Sequence, residues 1–332
     1  MTAKVAINGF GRVGRTVLRR LLDTDSELEL VAVNDVADIE NLAYLLEFDT
    51  TYGRLKRNVE VRDNILVVGE SEIRVCQEAD AKDLPWKELE IDIVLEATGL
   101  YTTADKAKAH LEAGAAKVLI TAPADEKTKM IVHGVNEDNI EDDKIISSAS
   151  CTTNDLAPVA KVLNDNFEIV NGYMTTVKAY TPSQSLHDGP SKDLRRGRAG
   201  AMNAIPTSTG AAKAVGKVIP ALEGIVDGSA IRVPLAGGAL VEFYTNLKKE
   251  VTVEEVNEAM KKASNPSFEY SDKPIVSSDV IRTSAGGIFD ATLTDIVNNG
   301  DSQLVKTVSW YDSEYGFVSN LVRLTEHFAD TK

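Results

Sequence analysis

Lys4-Val-Ala-Ile-Asn-Gly-Phe-Gly-Arg-Val-Gly14 is the segment that best indicates how the first part of this chain folds. Its apolar start, residues 4–8, predicts a short strand, and helical apolar spacing begins directly after the third glycine. A second apolar run over residues 28–33 ends at Asn34-Asp35. A G-x-G-x-x-G motif between a strand and a helix, with an acidic residue about 20 positions beyond the last glycine, is typical of a dinucleotide-binding Rossmann unit.

Each residue of this motif has a physical role. Gly9 permits a tight turn, Gly11 lets a pyrophosphate approach the backbone, and Gly14 lets the helix pack closely against the strand. The amino end of the helix then offers its N–H groups to the phosphates. Asp35 is expected to bind the adenosine ribose hydroxyls and to repel a 2′-phosphate, so the sequence favours NAD over NADP.

Two further strand-like runs, residues 91–96 and 116–120, extend the predicted parallel sheet. Thr98 and Thr121 follow their ends, where ligands bind in open parallel sheets. Both threonines are therefore candidates to face a nicotinamide ring. Ordinary strand-terminating residues would show the same pattern, so both interpretations stay open.

Cys151 lies where a short buried run turns into helical apolar spacing over residues 155–163. At the amino end of a helix, unpaired amides and the positive end of the dipole favour a thiolate over a thiol. The same amides can face an oxyanion that forms on a carbonyl attacked by the sulfur. The alternative is a small buried hydrophobic residue, which is the more common role of a cysteine. For the other cysteine, Cys76, packing in a strand is the better interpretation.

The length and composition of the chain indicate which broad class of protein it belongs to. A chain of 332 residues predicts two domains, and 43% hydrophobic with 26% charged residues is an ordinary globular composition. The net charge of −15 argues against a general nucleic-acid binder. No apolar run approaches the roughly 20 residues that a membrane span needs. Two cysteines and the absence of a leader-like start predict a cytoplasmic protein, and no metal site is expected.

The second half of the sequence predicts a different kind of domain. Its strand-like runs alternate less regularly with helices, and two polar segments lie among them. Arginines in residues 191–198, with hydroxyls and a glycine in residues 206–213, are able to hold phosphate anions. A solvated, ion-paired loop is the alternative for these segments. The strand-like runs are residues 173–180, 230–233, 240–245 and 304–310.

Taken together, the sequence resembles phosphorylating glyceraldehyde-3-phosphate dehydrogenases over essentially its whole length. The motifs that carry the resemblance are Ile7-Asn-Gly-Phe-Gly-Arg-Val-Gly14, Asn34-Asp35, Ala149-Ser-Cys-Thr-Thr-Asn154, Met174-Thr-Thr-Val177, Lys192-Asp-Leu-Arg-Arg196, Ile205-Pro-Thr-Ser-Thr-Gly-Ala-Ala-Lys-Ala-Val215, Arg232-Val-Pro234 and Trp310-Tyr-Asp312. The resemblance implies an α/β fold, with an NAD-binding Rossmann domain at residues 1–150. It also implies a catalytic domain at 151–315 with a mainly antiparallel sheet, and a helix at about 316–332 that packs back onto the first domain. A cytoplasmic homotetramer that acts in glycolysis is expected.

The family's reaction can be carried over residue by residue. The resemblance implies that Cys151 attacks glyceraldehyde 3-phosphate to form a thiohemiacetal, which loses a hydride to NAD and becomes a thioester. Inorganic phosphate then releases 1,3-bisphosphoglycerate. The implied binding residues are Arg12, Val13 and Ser313 for the cofactor, Thr181 and Arg232 for the substrate phosphate, Ser150, Thr209 and Arg196 for inorganic phosphate, and Thr152 and Gly210 within the same phosphate-binding segments.

Lys178 departs from the pattern of the family, which has a histidine base at this position. An ordinary lysine is protonated near neutrality, so it can donate a hydrogen bond and stabilise a thiolate but is a poor base. Loss of general base catalysis typically costs about 10²–10⁴-fold in rate. Asp155 also replaces a cysteine, and Ser313 an asparagine. Three hypotheses follow: a slowed dehydrogenase, a paralogue for another phosphorylated or acidic aldehyde, and a cofactor-binding homologue with a non-enzymatic role.

Overall fold

The computed structural model describes residues 2–300 and 302–331, and the chain divides into two compact units. The first unit comprises Met1–Ile131, Glu137–Ala149 and Leu321–Lys332. The second comprises Val132–Asn136 and Ser150–Asn320. Over the described residues, no helix is both long enough and apolar enough to cross a bilayer.

The α-helices are distributed over both units. They are α1 (Arg12–Leu22), α2 (Ile39–Glu47), α3 (Ala104–Glu112), α4 (Cys151–Phe167), α5 (Ala211–Val218), α6 (Val253–Ala263) and α7 (Tyr315–Asp330). Polar side chains start several of them, as N-cap residues should. Thr252, for example, forms a reciprocal capping box with Glu255 at the start of α6.

The sheet of the first unit is mostly parallel. Its strands are β1 (Ala3–Asn8), β2 (Leu28–Asn34), β3 (Val59–Arg62), β4 (Ile65–Val68), β5 (Ser71–Cys76), β6 (Ile93–Glu96), β7 (Lys117–Ile120), β8 (Lys129–Met130) and β9 (Ile145–Ser147). They pair in the order β3-β4-β5-β2-β1-β6-β7-β9-β8, with antiparallel pairs only at the β3-β4-β5 edge. Strand β1 therefore lies between β2 and β6, where the strand order reverses. In such sheets this switch point is where dinucleotides bind.

The final helix contributes its second half to the first unit. From Leu321 onward α7 is part of this unit, and Glu326 accepts a hydrogen bond from the Ser26 hydroxyl at 2.6 Å. The ammonium of Lys117 donates to the carbonyls of Phe328 (2.7 Å) and Thr331 (2.6 Å). A cation at these carbonyls satisfies acceptors that the helix end leaves unpaired.

The sheet of the second unit is mainly antiparallel. Its strands are β10 (Ile169–Ala179), β11 (Ile205–Ser208), β12 (Val226–Val233), β13 (Ala239–Leu247), β14 (Phe268–Ser271), β15 (Gly287–Asp290), β16 (Asp295–Asn298) and β17 (Gln303–Tyr311). They pair in the order β11-β12-β10-β13-β17-β15-β14, and β16 pairs with β17. Of the strand pairs of this sheet in the described residues, β10–β12 and β14–β15 are the parallel ones. The predicted fold class, a Rossmann-type parallel sheet plus a mainly antiparallel sheet, is confirmed.

Candidate active site

The glycine turn of the first unit is shaped by close packing. Gly9 has φ +94°, and a Cβ there would lie 2.7 Å from the backbone of Ala97 and Thr98. A Cβ at Gly14 would lie 2.3 Å from the Gly9 carbonyl oxygen. Gly11, the N-cap of α1, has open space around it. Two glycines are thus required by packing, and the third leaves the approach to the helix end open, which fits a bound pyrophosphate.

Asp35, which follows β2, stabilises the glycine turn through hydrogen bonds. One of its carboxylate oxygens accepts from the Phe10 N–H at 2.8 Å, and the other accepts from the Ala37 N–H at 3.0 Å. Each oxygen keeps a further lone pair for ribose hydroxyls. Arg12 and Val13 form the first turn of α1, where backbone N–H groups have no acceptor within the helix. The side chain of Arg12 forms an ion pair with Asp49.

The three other predicted cofactor residues lie at the ends of strands. Thr98 follows β6 and is half-buried, and both its N–H and its hydroxyl donate to the Glu96 carboxylate. Thr121 follows β7, is 9% exposed, and donates its hydroxyl to the Glu96 carbonyl at 3.0 Å. Its hydroxyl therefore stabilises the sheet itself. Ser313 follows β17 in the second unit and is half-buried.

Cys151 is the first residue of α4, as the sequence predicted. The backbone turns sharply into the helix through Ala149, which has a positive φ of 58°. Ser150 is the N-cap, and its hydroxyl accepts from the Thr153 N–H at 3.1 Å. The half-buried Cys151 thus lies at the positive end of a helix of 17 residues.

The structure brings the two predicted catalytic residues together. Lys178 lies on β10 and shares a face with the fully buried Thr176, because alternate strand residues point the same way. Its Nζ lies 3.7 Å from the Cys151 Sγ and donates to the Thr152 Oγ1 at 2.9 Å. The ammonium group therefore faces the sulfur and is held there by a neighbouring hydroxyl.

A chain of buried hydroxyls continues from Lys178, and its central member, Tyr311, was not among the residues predicted for the site. Thr152, only 1% exposed, lies 2.9 Å from the Tyr311 hydroxyl, which lies 2.9 Å from the Thr176 Oγ1. Because an ammonium only donates, Thr152 accepts from Lys178 and is free to donate to Tyr311. Burial, together with the nearby charge of Cys151, raises the pKa of Tyr311 well above its usual value. Tyr311 thus stays a neutral phenol.

Arginines add to the positive charge near the nucleophile. Arg232 on β12 pairs in register with Lys178 and donates to the Ala179 carbonyl at 2.9 Å. Burial lowers the pKa of Arg232 and the charge of Cys151 raises it, so the guanidinium lies within electrostatic range of the sulfur. Arg196 donates its Nε–H to the Thr207 Oγ1 at 2.8 Å. Lys178 and Arg232, two cations on adjacent strands, therefore suit an anionic substrate.

The remaining predicted phosphate residues lie on nearby loops and helix ends of the same unit. Thr181 follows β10, and its hydroxyl contacts that of Ser183 at 2.8 Å. Thr209 follows β11, and its Oγ1 accepts from the Ala211 N–H at 3.2 Å. Gly210 is the exposed N-cap of α5. Thr209 and Gly210 therefore lie together at a helix amino end, the kind of place where anions bind.

Asp155 is a second buried acidic group on the helix of the nucleophile. It is 0% exposed, and one oxygen accepts from the Ser309 hydroxyl at 2.7 Å. Among the residues that the structure describes, none forms a hydrogen bond with the other oxygen. Burial raises the pKa of Asp155 well above its usual value. Burial thus favours the neutral carboxylic acid over the carboxylate at this position.

Comparisons with known proteins agree with both units. Residues 3–104 match the model of the glyceraldehyde 3-phosphate dehydrogenase NAD binding domain, and residues 150–313 match that of the C-terminal domain. A glyceraldehyde-3-phosphate dehydrogenase of Clostridium pasteurianum is 54% identical over 329 residues, with 98% of each chain covered. One of Clostridium acetobutylicum is 52% identical over 330 residues, again with 98% of each covered. The predicted cofactor, NAD, and the prediction of an NAD-dependent oxidoreductase are confirmed. With both of its units matched and relatives of this identity over nearly its whole length, the chain belongs to the glyceraldehyde-3-phosphate dehydrogenase family.

Proposed function

We propose that this enzyme oxidises glyceraldehyde 3-phosphate with NAD and inorganic phosphate to 1,3-bisphosphoglycerate, through covalent catalysis by Cys151. The observation that carries the proposal is the geometry at the sulfur. Cys151 begins a helix, Lys178 lies 3.7 Å away, and Arg232 lies beside Lys178 in register. The names of the two clostridial relatives support the substrate.

In the first step the Cys151 thiolate adds to the aldehyde carbon, and the carbonyl electron pair moves onto oxygen. The product is a tetrahedral alkoxide bonded to Cys151. A positively charged donor is the group best suited to stabilise such an oxygen, and Lys178 supplies one. Thr152 holds Lys178 in place through its hydroxyl, with Tyr311 behind it.

The carbon–hydrogen bond of this intermediate then breaks. Bound NAD supplies the hydride acceptor, and the intermediate becomes a thioester on Cys151. An oxygen of hydrogen phosphate adds to the thioester, and collapse of the second tetrahedral oxyanion expels the Cys151 thiolate. The acyl phosphate leaves and one proton passes to solvent. Lys178 can stabilise both oxyanions and the leaving thiolate without accepting a proton.

Lys178 also sets the proposed limit on the rate. The alkoxide is a small fraction of the thiohemiacetal near neutrality, and an ammonium cannot remove a proton from the neutral form. A base at this position typically contributes about 10²–10⁴-fold. We therefore infer that this enzyme turns over more slowly than a relative with histidine at the position of Lys178.

The phosphate groups have two proposed sites in the second unit. Arg232 and Thr181 bind the phosphate of the substrate, and Arg196, Thr209 and Ser150 bind inorganic phosphate. The Gly210 amide completes the second site at the amino end of α5. The positive charge and the helix ends described above support this division. Thr152 acts on the substrate through Lys178, because its hydroxyl accepts a hydrogen bond from the Lys178 Nζ.

We further propose that the enzyme is a homotetramer in the cytoplasm. Large apolar side chains of the second sheet are exposed, including Val170 (52%), Tyr173 (50%) and Val297 (64%). A second copy of this chain is the partner that the family supports. The free thiols of Cys76 and Cys151 fit a reducing compartment. Sedimentation of Tyr173→Asp, compared with the wild type, tests the assembly, because an introduced charge should weaken an apolar interface.

The reaction is tested by following NADH formation with glyceraldehyde 3-phosphate, with and without inorganic phosphate, in the wild type and in Cys151→Ser. Phosphate-dependent turnover that Cys151→Ser abolishes is the expected result. A panel of other phosphorylated and acidic aldehydes is assayed in parallel. Faster turnover of another aldehyde would replace the substrate proposed above, and turnover that survives Cys151→Ser would refute the covalent route.

A further inference from the structure

A buried polar network joins the carboxyl ends of β1, β2 and β6, and the proposed reaction does not use it. Glu96, the last residue of β6, is 1% exposed. Asn8 and Asn34, the last residues of β1 and β2, are 2% and 5% exposed. His110 and Trp86 are fully buried beside them. A buried carboxylate at the switch point of a dinucleotide-binding sheet requires a physical explanation.

Fixed backbone donors determine how the amides of the network are oriented. The Glu78 N–H donates to the Asn34 Oδ1 at 2.9 Å. The Asn34 Nδ2 therefore donates to the Asn8 Oδ1, at 2.7 Å. The Asn8 Nδ2 in turn donates to the Glu96 Oε2, at 2.7 Å.

The other donors to Glu96 are equally well determined. An indole N–H only donates, so the bond from Trp86 to the His110 Nδ1 (3.1 Å) leaves the imidazole proton on Nε2. That Nε2–H donates to the Glu96 Oε2 at 3.0 Å. The Thr98 N–H donates to Oε1 at 2.8 Å. The Thr98 hydroxyl accepts from the Leu100 N–H at 3.0 Å and gives its own hydrogen to Oε1.

Glu96 thus accepts four hydrogen bonds and donates none, which is the pattern of an ionised carboxylate. All four donors are neutral groups. Among the described residues, no cation forms an ion pair with Glu96, since a neutral imidazole is its one basic contact. The network therefore stabilises a negative charge in the interior and leaves that charge uncompensated.

The location of this charge relates it to the cofactor. Glu96 ends β6, which pairs with β1 at the point where the strand order reverses. The segment after it, Ala97 and Thr98, lies against Gly9 of the glycine turn, where an added Cβ would meet its backbone at 2.7 Å. The bond from the Thr98 N–H to Glu96 fixes that segment.

We propose that Glu96 is a positioning and specificity-determining residue for the cofactor, whose fixed negative charge favours NAD⁺ over NADH. The nicotinamide ring of NAD⁺ carries a positive charge that NADH lacks. In a low-dielectric interior an uncompensated carboxylate therefore stabilises the oxidised form selectively. Its hydrogen bonds, by contrast, hold the Thr98 segment against Gly9 and support both forms equally.

The test is equilibrium binding of NAD⁺ and of NADH to the intact protein by calorimetry, without substrate. Glu96→Gln keeps the size of the side chain and removes the charge. We expect it to shift the ratio of the two dissociation constants toward NADH by roughly threefold or more. Glu90→Gln is the matched control, because Glu90 is exposed and pairs with Lys4 at the surface of the same unit. It should leave the ratio unchanged.

The double variant Asn8→Asp/Glu96→Gln moves the carboxylate across one hydrogen bond, and the carboxylate at position 8 still accepts from the Asn34 Nδ2. Its ratio should return to within about twofold of the wild-type ratio if the charge is what matters. A folded Glu96→Gln protein with an unchanged ratio overturns the proposal, as does an equal loss of affinity for both cofactors. If Glu96→Gln does not fold, an NADH-favouring ratio in the double variant overturns it instead. Binding is measured without turnover, so the result is independent of the proposed reaction.

Discussion

Asp155→Asn should make the stability of this protein less dependent on pH. The wild-type carboxyl is fully buried and accepts one hydrogen bond from Ser309, and its other oxygen has no partner within the described part of the chain. Burial therefore raises its pKa in the folded state well above the unfolded value near 3.9. The folded chain binds this proton more tightly than the unfolded chain does.

The sign and size of the effect follow from linkage. Between the unfolded and the folded pKa, the unfolded state has released a proton that the folded state keeps. The free energy of unfolding then falls with rising pH, by up to about 1.4 kcal/mol per pH unit from this one group. This decrease in the free energy of unfolding begins above about pH 4 and ends at the pKa of Asp155 in the folded state. Asparagine cannot ionise, so the variant lacks this slope.

The assay is urea unfolding at a fixed protein concentration, at pH 5, 6, 7 and 8, for the wild type and Asp155→Asn. The difference in unfolding free energy, variant minus wild type, should rise with pH. Asp165→Asn is the matched control, because Asp165 lies on the same helix but is exposed and pairs with Lys161. A difference for Asp155→Asn that is constant across this range would refute the assignment of a buried neutral acid.

Three further predictions concern the reaction and the cofactor. Lys178→His should raise kcat with glyceraldehyde 3-phosphate by about tenfold or more in the NADH assay, because it restores a base beside Cys151; no gain would mean that the lysine is not limiting. Tyr311→Phe should lower the unfolding free energy by about 1–3 kcal/mol in urea titrations, since two buried hydroxyls lose their shared partner; unchanged stability would contradict the hydroxyl chain. Asp35→Asn should raise kcat/KM for NADP relative to NAD, because the repelling charge is lost while the acceptor for Phe10 stays, and an unchanged ratio would count against Asp35 as the determinant.

Local patterns were enough to predict the elements that carry the glycine turn and the nucleophile. Residues 4–22 alone indicate a strand, three glycines and a helix. The start of the helix at Cys151 is likewise indicated by the few residues around its N-cap. The position of Thr176 could have been predicted in the same way, because it lies two residues before Lys178 and on the same face of the strand. These features depend on neighbours in sequence.

The buried polar contacts were beyond such patterns. Tyr311 meets Thr152 across 159 positions, and Glu96 meets Asn8 across 88. The alternation of residues along the strands of Tyr311 and Glu96 does not specify which polar side chain each of them contacts. The position of Thr121 at a strand end was evident from the sequence. The hydrogen bond from its hydroxyl to the Glu96 carbonyl was not. Such pairings depend on tertiary register, which one sequence leaves open.

Lys178 and Asp155 have opposite formal charges, yet they do not compensate each other. Burial favours the neutral form of Asp155, and in that form the charge of Lys178 remains available to the sulfur and to an oxyanion. An ionised Asp155 on the helix of the nucleophile would instead oppose thiolate formation at Cys151. The same burial that costs stability at high pH therefore protects the positive field on which the proposed reaction depends. This argues that a lysine at this position is compatible with covalent catalysis, provided that Asp155 keeps its proton.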